Sequence, residues 1–267
     1  MSDAATAAPS LGTEGFTRRE IDLYGVKTVY YEAGEGPVVL YFHGGGAFHG
    51  VQFARSWTKR FRVICPFHPG FAESGDDPRI GGMQHYVLHY LDFLDALKIT
   101  DKFHLTGLSM GGRLAAEFAV AHADRLRSLV IGAPAGLDIP EHTPSNLGAL
   151  SLDEMMRHLV SDLAVLAPYL PPNVDADQFA KARMREGGSA GKVMMSPSGL
   201  EHWMHRITVP TLLLWGEKDR VLPAGRAKAW GERLPNGTVK IIPDIGHLVF
   251  DESPEAVKLA EDFMARA

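Results

Sequence analysis

The chain has 267 residues, with 27 basic and 32 acidic side chains and a net charge of −5, a length suited to one large α/β domain or two small ones. At 45% hydrophobic and 22% charged residues it has the make-up of a globular protein with a sizeable core, and its acidic balance argues against a nucleic-acid binder or a basic membrane-surface protein. The single cysteine, Cys65, excludes an intrachain disulfide and any cysteine-based metal cluster.

Residues 1–15 are small and polar, without a basic segment or an apolar stretch behind it, and are expected to be a disordered tail rather than a signal peptide. No apolar run approaches the roughly 18 residues that span a bilayer, so the expected setting is the cytoplasm, without a membrane partner. Runs 21–23 and 26–31, joined through Gly25, predict a hairpin. A short apolar run at 38–42 ends in His43-Gly44-Gly45-Gly46, and 62–65 is another short strand. Over 83–97, Val87, Leu91, Leu94 and Leu97 have the spacing of an amphipathic helix. The strand 103–108 runs straight into Ser109, and the Ala-rich stretch 111–121 is helical. Further buried strands are predicted at 129–131, 211–215 and 239–242, with helices at 225–234 and 254–265. This alternation implies an α/β fold, a mostly parallel sheet covered on both faces.

From 139 to 207 the alternation stops. Short helical pieces are separated by Pro168, Pro171-Pro172, Gly187-Gly188 and Pro197, as in a helical lid inserted between two parts of a body at 16–138 and 208–267. Six of the ten methionines fall there (Met155, Met156, Met184, Met194, Met195 and Met204), which suits an adaptable apolar pocket wall or simple packing of the lid onto the body.

Four local patterns carry chemistry. Gly107-Leu108-Ser109-Met110-Gly111 lies between a strand and a helix, where its glycines permit a sharp turn that exposes the serine hydroxyl beside a helix N-terminus. The glycine loop after His43 can present bare N–H groups to the oxyanion of an acyl-transfer intermediate, and the N–H of Met110 is a second donor. It lacks the Lys-Ser/Thr ending of a phosphate loop. Asp219, in Trp215-Gly216-Glu217-Lys218-Asp219, and His247, in Ile245-Gly246-His247, each follow a predicted strand. A serine hydroxyl needs a base with a pKa near the working pH, and that histidine needs a carboxylate to hold its tautomer. The chain order Ser109, Asp219, His247 is the one expected for this architecture.

From about Phe16 onward the sequence resembles the α/β-hydrolase superfamily, in the His-Gly loop, Pro69-Gly70-Phe71-Ala72-Glu73-Ser74, the serine turn, and the Asp and Gly-His motifs. It looks most like the single-lid group of esterases, meta-cleavage-product hydrolases and haloperoxidase-like perhydrolases. The resemblance implies an eight-stranded sheet, a triad of Ser109, His247 and Asp219, and an oxyanion hole from the N–H groups of Gly45 and Met110. It implies no cofactor and no metal. Ala72 stands where many relatives carry glycine. The expected activity is hydrolysis of a small-molecule carboxylic ester through an acyl-enzyme, falling as His247 protonates. Gly44, Gly46, Phe71, Met110 and Leu248, with Met156, Leu159 and Trp203 from the lid, are expected to form an apolar pocket. A second copy of the chain is an admissible partner.

Other candidates weigh less. Asp138 could serve as the triad acid, while Glu217 and Asp244 read as solvated turn carboxylates. The pairs His85/His89 and His202/His205 have helical spacing but no nearby carboxylates for a metal. His49 and His68 lie on loops near the expected site without a proton to move, and Cys65 reads as core. One rival activity keeps the triad and cleaves a carbon–carbon bond in a vinylogous diketo acid. The triple-glycine loop favours it; Leu248, where those enzymes usually carry tryptophan, does not. It also needs a cation for the substrate carboxylate, and sequence does not choose among Arg157, Arg183, Arg185 and Arg206. A second rival is a hydrolase-fold receptor with slow turnover. Epoxide hydrolase and dehalogenase chemistry are disfavoured because serine, not aspartate, occupies the turn.

Overall fold

Period-two alternation decides how the strands are buried. In Val38–Phe42, Leu40 and Phe42 face one apolar cluster while Val39 and Tyr41 face another. Ile64 against Val63 and Cys65, and Leu213 and Trp215 against Leu212 and Leu214, divide the same way. Side chains on both faces are apolar, so the sheet must be covered on both.

The computed structural model describes residues 12–169, 176–197 and 199–267. In chain order the strands are β1 (Thr17–Leu23), β2 (Val26–Ala33), β3 (Val38–Phe42), β4 (Arg62–Pro66), β5 (Phe103–Leu108), β6 (Leu126–Gly132), β7 (Thr211–Gly216) and β8 (Gly237–Ile242). They form one eight-stranded sheet in the order β1-β2-β4-β3-β5-β6-β7-β8. The β1–β2 and β2–β4 pairs are antiparallel and the remainder parallel. The helices are α1 (Met83–Ala96), α2 (Met110–His122), α3 (Leu152–Leu159), α4 (Ala176–Met194), α5 (Leu200–Trp203), α6 (Arg226–Gly231), α7 (Val249–Glu252) and α8 (Pro254–Met264).

The first apolar cluster joins the sheet to α1, α2 and α6 through residues such as Tyr90, Phe93, Leu114 and Trp230. The second joins it to α7, α8 and a 3-10 helix at Gln52–Lys59. Three strands begin before the apolar runs predict. The start of β1 is polar and exposed yet pairs along its length with β2; in β6 the buried Ser128 pairs with His104 past a register shift at Arg127, and in β8 the exposed Gly237 and Thr238 pair with Thr211 and Leu212. Backbone pairing there needs no apolar side chain. The 3-10 helix is not among the expected elements; it is held because Trp57 is fully buried and its indole N–H donates to the Val257 carbonyl at 3.0 Å.

Between β6 and β7 the described residues form helices and no strand. The beginning of this insertion is tied down by buried Arg226, whose guanidinium donates to the carbonyls of Leu137 and His142. The end of α4 is tied by buried Arg113, which donates to the Met194 and Ser196 carbonyls at 2.9 and 2.8 Å and pairs with Glu117 at 2.9 Å. Pro171, Pro172 and residues 1–11 of the expected tail lie outside the described residues. Residues 12–15 are held against the body: the Gly12 carbonyl accepts the Val51 N–H at 3.1 Å, and the Thr13 carbonyl accepts the Phe16 N–H. The methionines divide: Met156 and Met204 are buried, whereas Met184 and Met195 are 77% and 86% exposed.

Because Trp57 anchors the 3-10 helix to α8, Trp57→Ala is expected to lower unfolding free energy by about 3–5 kcal/mol, read from urea melts. A change within about 0.5 kcal/mol, as for an ordinary surface site, would contradict this packing.

Candidate active site

The order of strands reverses at β3. The chain leaves β3 toward β4 on one side and returns through α1 to β5 on the other, so the loops following β3 and β5 meet at the carboxyl ends of adjacent strands. Phe42 pairs with Gly107 in the ladder. Two residues beyond each, Gly44 and Ser109 face one another: a Cβ on Gly44 would lie 3.4 Å from the Ser109 Cβ and 4.0 Å from its Oγ.

The turn around Ser109 has no spare room. A Cβ on Gly107 would stand 2.3 Å from the Gly111 carbonyl oxygen. One on Gly111 would stand 2.2 and 2.3 Å from the carbonyl oxygens of Phe42 and His43. These obstacles are backbone and cannot move aside. Ser109 itself has φ 56° and ψ −117°, a conformation that costs a non-glycine residue on the order of 1–3 kcal/mol. It is held by its N–H on the Gly132 carbonyl at 2.9 Å, and by its carbonyl, which accepts from Arg113 and Ala135. No side chain caps the N-terminus of α2, so the first-turn donors at Met110 stand beside the serine.

Asp219 and His247 come from the turns after β7 and β8, which interlock. A Cβ on Gly216 would be 2.0 Å from the Gly246 carbonyl oxygen, and the N–H groups of Glu217 and Lys218 donate to Ile242 and Ile245. Asp219 Oδ1 accepts the N–H groups of Val221 and Leu222 at 2.8 Å each. Its Oδ2 accepts from His247 Nδ1 at 2.8 Å, with both side chains buried. The histidine turn reaches back over the sheet: Val249 and Leu108 both crowd the same point above Gly132, at 2.7 and 3.1 Å from where its Cβ would be. The insertion holds this turn as well. The Leu159 carbonyl accepts the N–H groups of His247 and Leu248, and Glu252 accepts those of Gly246 and Ser161. Burial pushes the Glu252 carboxyl up.

The glycine loop is anchored by two neutral histidines. His43 Nδ1–H donates to the Gly44 carbonyl at 2.7 Å, and its Nε2 accepts the His68 N–H at 3.0 Å. His68 Nε2–H donates to the His43 carbonyl at 3.0 Å, and its Nδ1 accepts from the Tyr90 hydroxyl. Burial drives His43 well below the usual imidazole range and pulls His68 down to about 3.

Several expected residues adjoin this region. Gly44 faces Ser109, Gly45 faces Ala190 of α4, and Gly46 lies under the Arg183 guanidinium. Phe71 packs edge-on to His43, with ring centroids 5.0 Å apart. Met156 and Leu248 are buried in the second apolar cluster, and Leu159 packs against it. Trp203 is elsewhere. It lines an outer groove of about 620 Å³ with Val87, Leu88, Val120 and Arg206. The α2 residues of that groove begin at Glu117, about two helical turns from Ser109. The sequence offered an apolar residue in the insertion but not the side of the sheet it would cover.

Of the alternatives, Asp138 is exposed, while the Nδ1 of His247 is taken by Asp219. Glu217 accepts the Asp244 N–H and Asp244 pairs with Lys218, as solvated turn groups do. His49 pairs with Asp251 at 3.2 Å and His89 meets Thr28. Cys65 is buried in β4. Among the described residues no group of three His, Cys, Asp or Glu is arranged to hold a metal, and no helix is long and apolar enough to cross a membrane. Of the four arginines, Arg157 pairs with Asp153 on the surface, Arg206 donates to the Val120 carbonyl and Arg185 pairs with Asp76. Arg183 alone of them lies over the glycine loop, paired to Glu186. Glu186 carries no distinguishing signal in the sequence. Three residues after an arginine and before Gly187-Gly188, it has the signature of a solvated helix face.

A family profile described as the alpha/beta hydrolase family matches residues 39–258. The 2-hydroxy-6-oxo-6-(2'-aminophenyl)hexa-2,4-dienoic acid hydrolase of Metapseudomonas resinovorans is 27% identical over 96% of this chain and 93% of its own length. Monoacylglycerol lipase ABHD6 of Homo sapiens is 27% identical over 87% of this chain and 76% of its length. Among solved structures, a thermophilic esterase from Thermogutta terrifontis superposes with a TM-score of 0.70 at 25% identity, covering 94% of this chain and 98% of that one.

The two histidines generate a pH dependence. Unfolded, each binds a proton below about pH 6.5; folded, both stay neutral until far lower. The unfolded state therefore holds more protons, and stability falls as pH drops from about 6.5, by up to about 1.4 kcal/mol per pH unit for each ring. Melting temperature should decline steadily from about pH 7 to about pH 5; a flat profile would contradict their buried neutral state.

Proposed function

The chain belongs to the alpha/beta hydrolase family, and from that premise we propose that it is a serine hydrolase acting on apolar or aromatic carboxylic esters. The observation that carries this reading is the buried 2.8 Å contact between His247 Nδ1 and Asp219 Oδ2. With its Nδ1 proton committed to a carboxylate, the ring presents the Nε2 lone pair as a base and the imidazolium is stabilised once formed. Nε2 takes the Ser109 proton as Oγ attacks the ester carbonyl. The oxyanion lies between the N–H groups of Gly45 and Met110, and His247 returns the proton to the departing alcohol. Water then repeats the sequence on the acyl-enzyme.

The apolar character of Phe71, Met156, Leu159 and Leu248 supports an uncharged acyl or alcohol group, as does the pairing of Arg183 with Glu186. A monoacylglycerol lipase and an esterase among the similar proteins point the same way. A second reading, hydrolysis of a carbon–carbon bond in a dienoate, is favoured by the 27% identity to a dienoic acid hydrolase.

The test is a rate series on p-nitrophenyl esters of increasing acyl length. Ser109→Ala is expected to lose on the order of 10⁶ in kcat, and Asp219→Asn about 10⁴. Ester hydrolysis that survives Ser109→Ala sinks the proposal. Negligible wild-type ester turnover, with bleaching of a dienoate chromophore instead, selects the second reading.

A further inference from the structure

A loop with three successive glycines has no side chains to hold it and much backbone entropy to lose on being fixed. Its first end is pinned from the core by His43 and His68. Its second end is pinned from the insertion. Glu186 of α4 is 3% exposed, and its Oε2 accepts the Ala47 N–H at 3.1 Å. The same carboxylate reaches the next loop, where Oε1 accepts the Ala72 N–H at 3.1 Å. Arg183 donates to Oε2 and lies over the rings of Phe48 and Phe179 at 5.0 and 5.6 Å. A buried carboxylate is costly unless its lone pairs are used; here three donors use them, so its position is over-determined.

Ala72 adds an independent observation. It has φ +42°, in the left-handed region that disfavours a residue with a Cβ. Both of its backbone groups are held by α4, the N–H by Glu186 and the carbonyl by Arg185 at 3.0 Å. The far end of α4 is held by Arg113, one helical turn beyond Ser109. One helix of the insertion therefore grips the glycine loop, the strained turn after β4 and the helix that starts at the serine.

We propose that Glu186 is a positioning residue of the oxyanion loop, its carboxylate holding Ala47 and Ala72 so that residues 44–46 keep their place beside Ser109. This rests on the serine-hydrolase reading. On it, the loop is competent only while α4 is docked, and withdrawal of α4 from the body disables the oxyanion hole without touching Ser109, His247 or Asp219.

The experiment is inactivation of the full chain by an alkyl fluorophosphonate. Ser109 Oγ bonds to phosphorus, fluoride leaves and the hydroxyl proton passes to His247, whichever bond the natural substrate presents. Two variants are compared with wild type: Glu186→Gln, and Arg183→Met with Glu186→Leu, which leaves no unpaired buried charge and so retains the fold if the single variant does not. Misplacing donors by about 1 Å costs on the order of 100-fold, so kinact is expected to fall by about 10- to 100-fold while KI stays at the wild-type value. Wild-type kinact in a folded variant overturns the proposal. So does a raised KI with kinact unchanged, which is the result of a loosened pocket alone. If wild type itself is not labelled, the serine-hydrolase reading fails and the inference falls with it.

Discussion

The contact on which the rest depends is the approach of the α2 N-terminus to the end of β3, which leaves no space for a Cβ at Gly111 against the Phe42 and His43 carbonyls. It places the strained Ser109 beside the glycine loop, and it exists only because β3 and β5 are neighbours at the point where strand order reverses. An alanine at Gly111 would force apart two backbones rather than two side chains. The sharp turn and the adjacent loop are thus one object, and neither could be assembled with the other strand elsewhere in the sheet.

Around that contact, polar groups are buried in matched sets. Asp219 spends one carboxylate oxygen on two backbone N–H groups and the other on His247. His43 and His68 exchange bonds with each other's backbone and stay neutral. Glu252 and Leu159 tie the histidine turn to the insertion, as Glu186 and Arg113 tie α4 to the loops and to α2. Such groups are costly when half-satisfied and confer order when complete. The insertion is therefore part of the framework that holds the loops around Ser109.

Much of this was legible along the chain. The apolar runs at 38–42, 103–108 and 211–215 became central strands because they alternate between two buried faces and cannot be accommodated otherwise. The glycines at 107 and 111 flag the turn because no other residue fits it. The edges were less legible: the starts of β1 and β8 are polar, and they pair through backbone groups that every residue carries. Trp203 lines an outer groove rather than the expected pocket, because hydrophobicity identifies a residue that seeks cover but not which face supplies it.

The sequence by itself determined the alternation of strand and helix, the serine turn and the chain order of Ser109, Asp219 and His247, since each follows from local sterics or from period-two burial. Tertiary structure alone decided that Arg183 rather than three other arginines lies over Gly46, and that Glu186 is buried. The reason is physical. A charged side chain on a helix carries the same local signature whether it faces water or two backbone N–H groups from distant loops, and only the packing of α4 onto the body brings Ala47 and Ala72 within its reach.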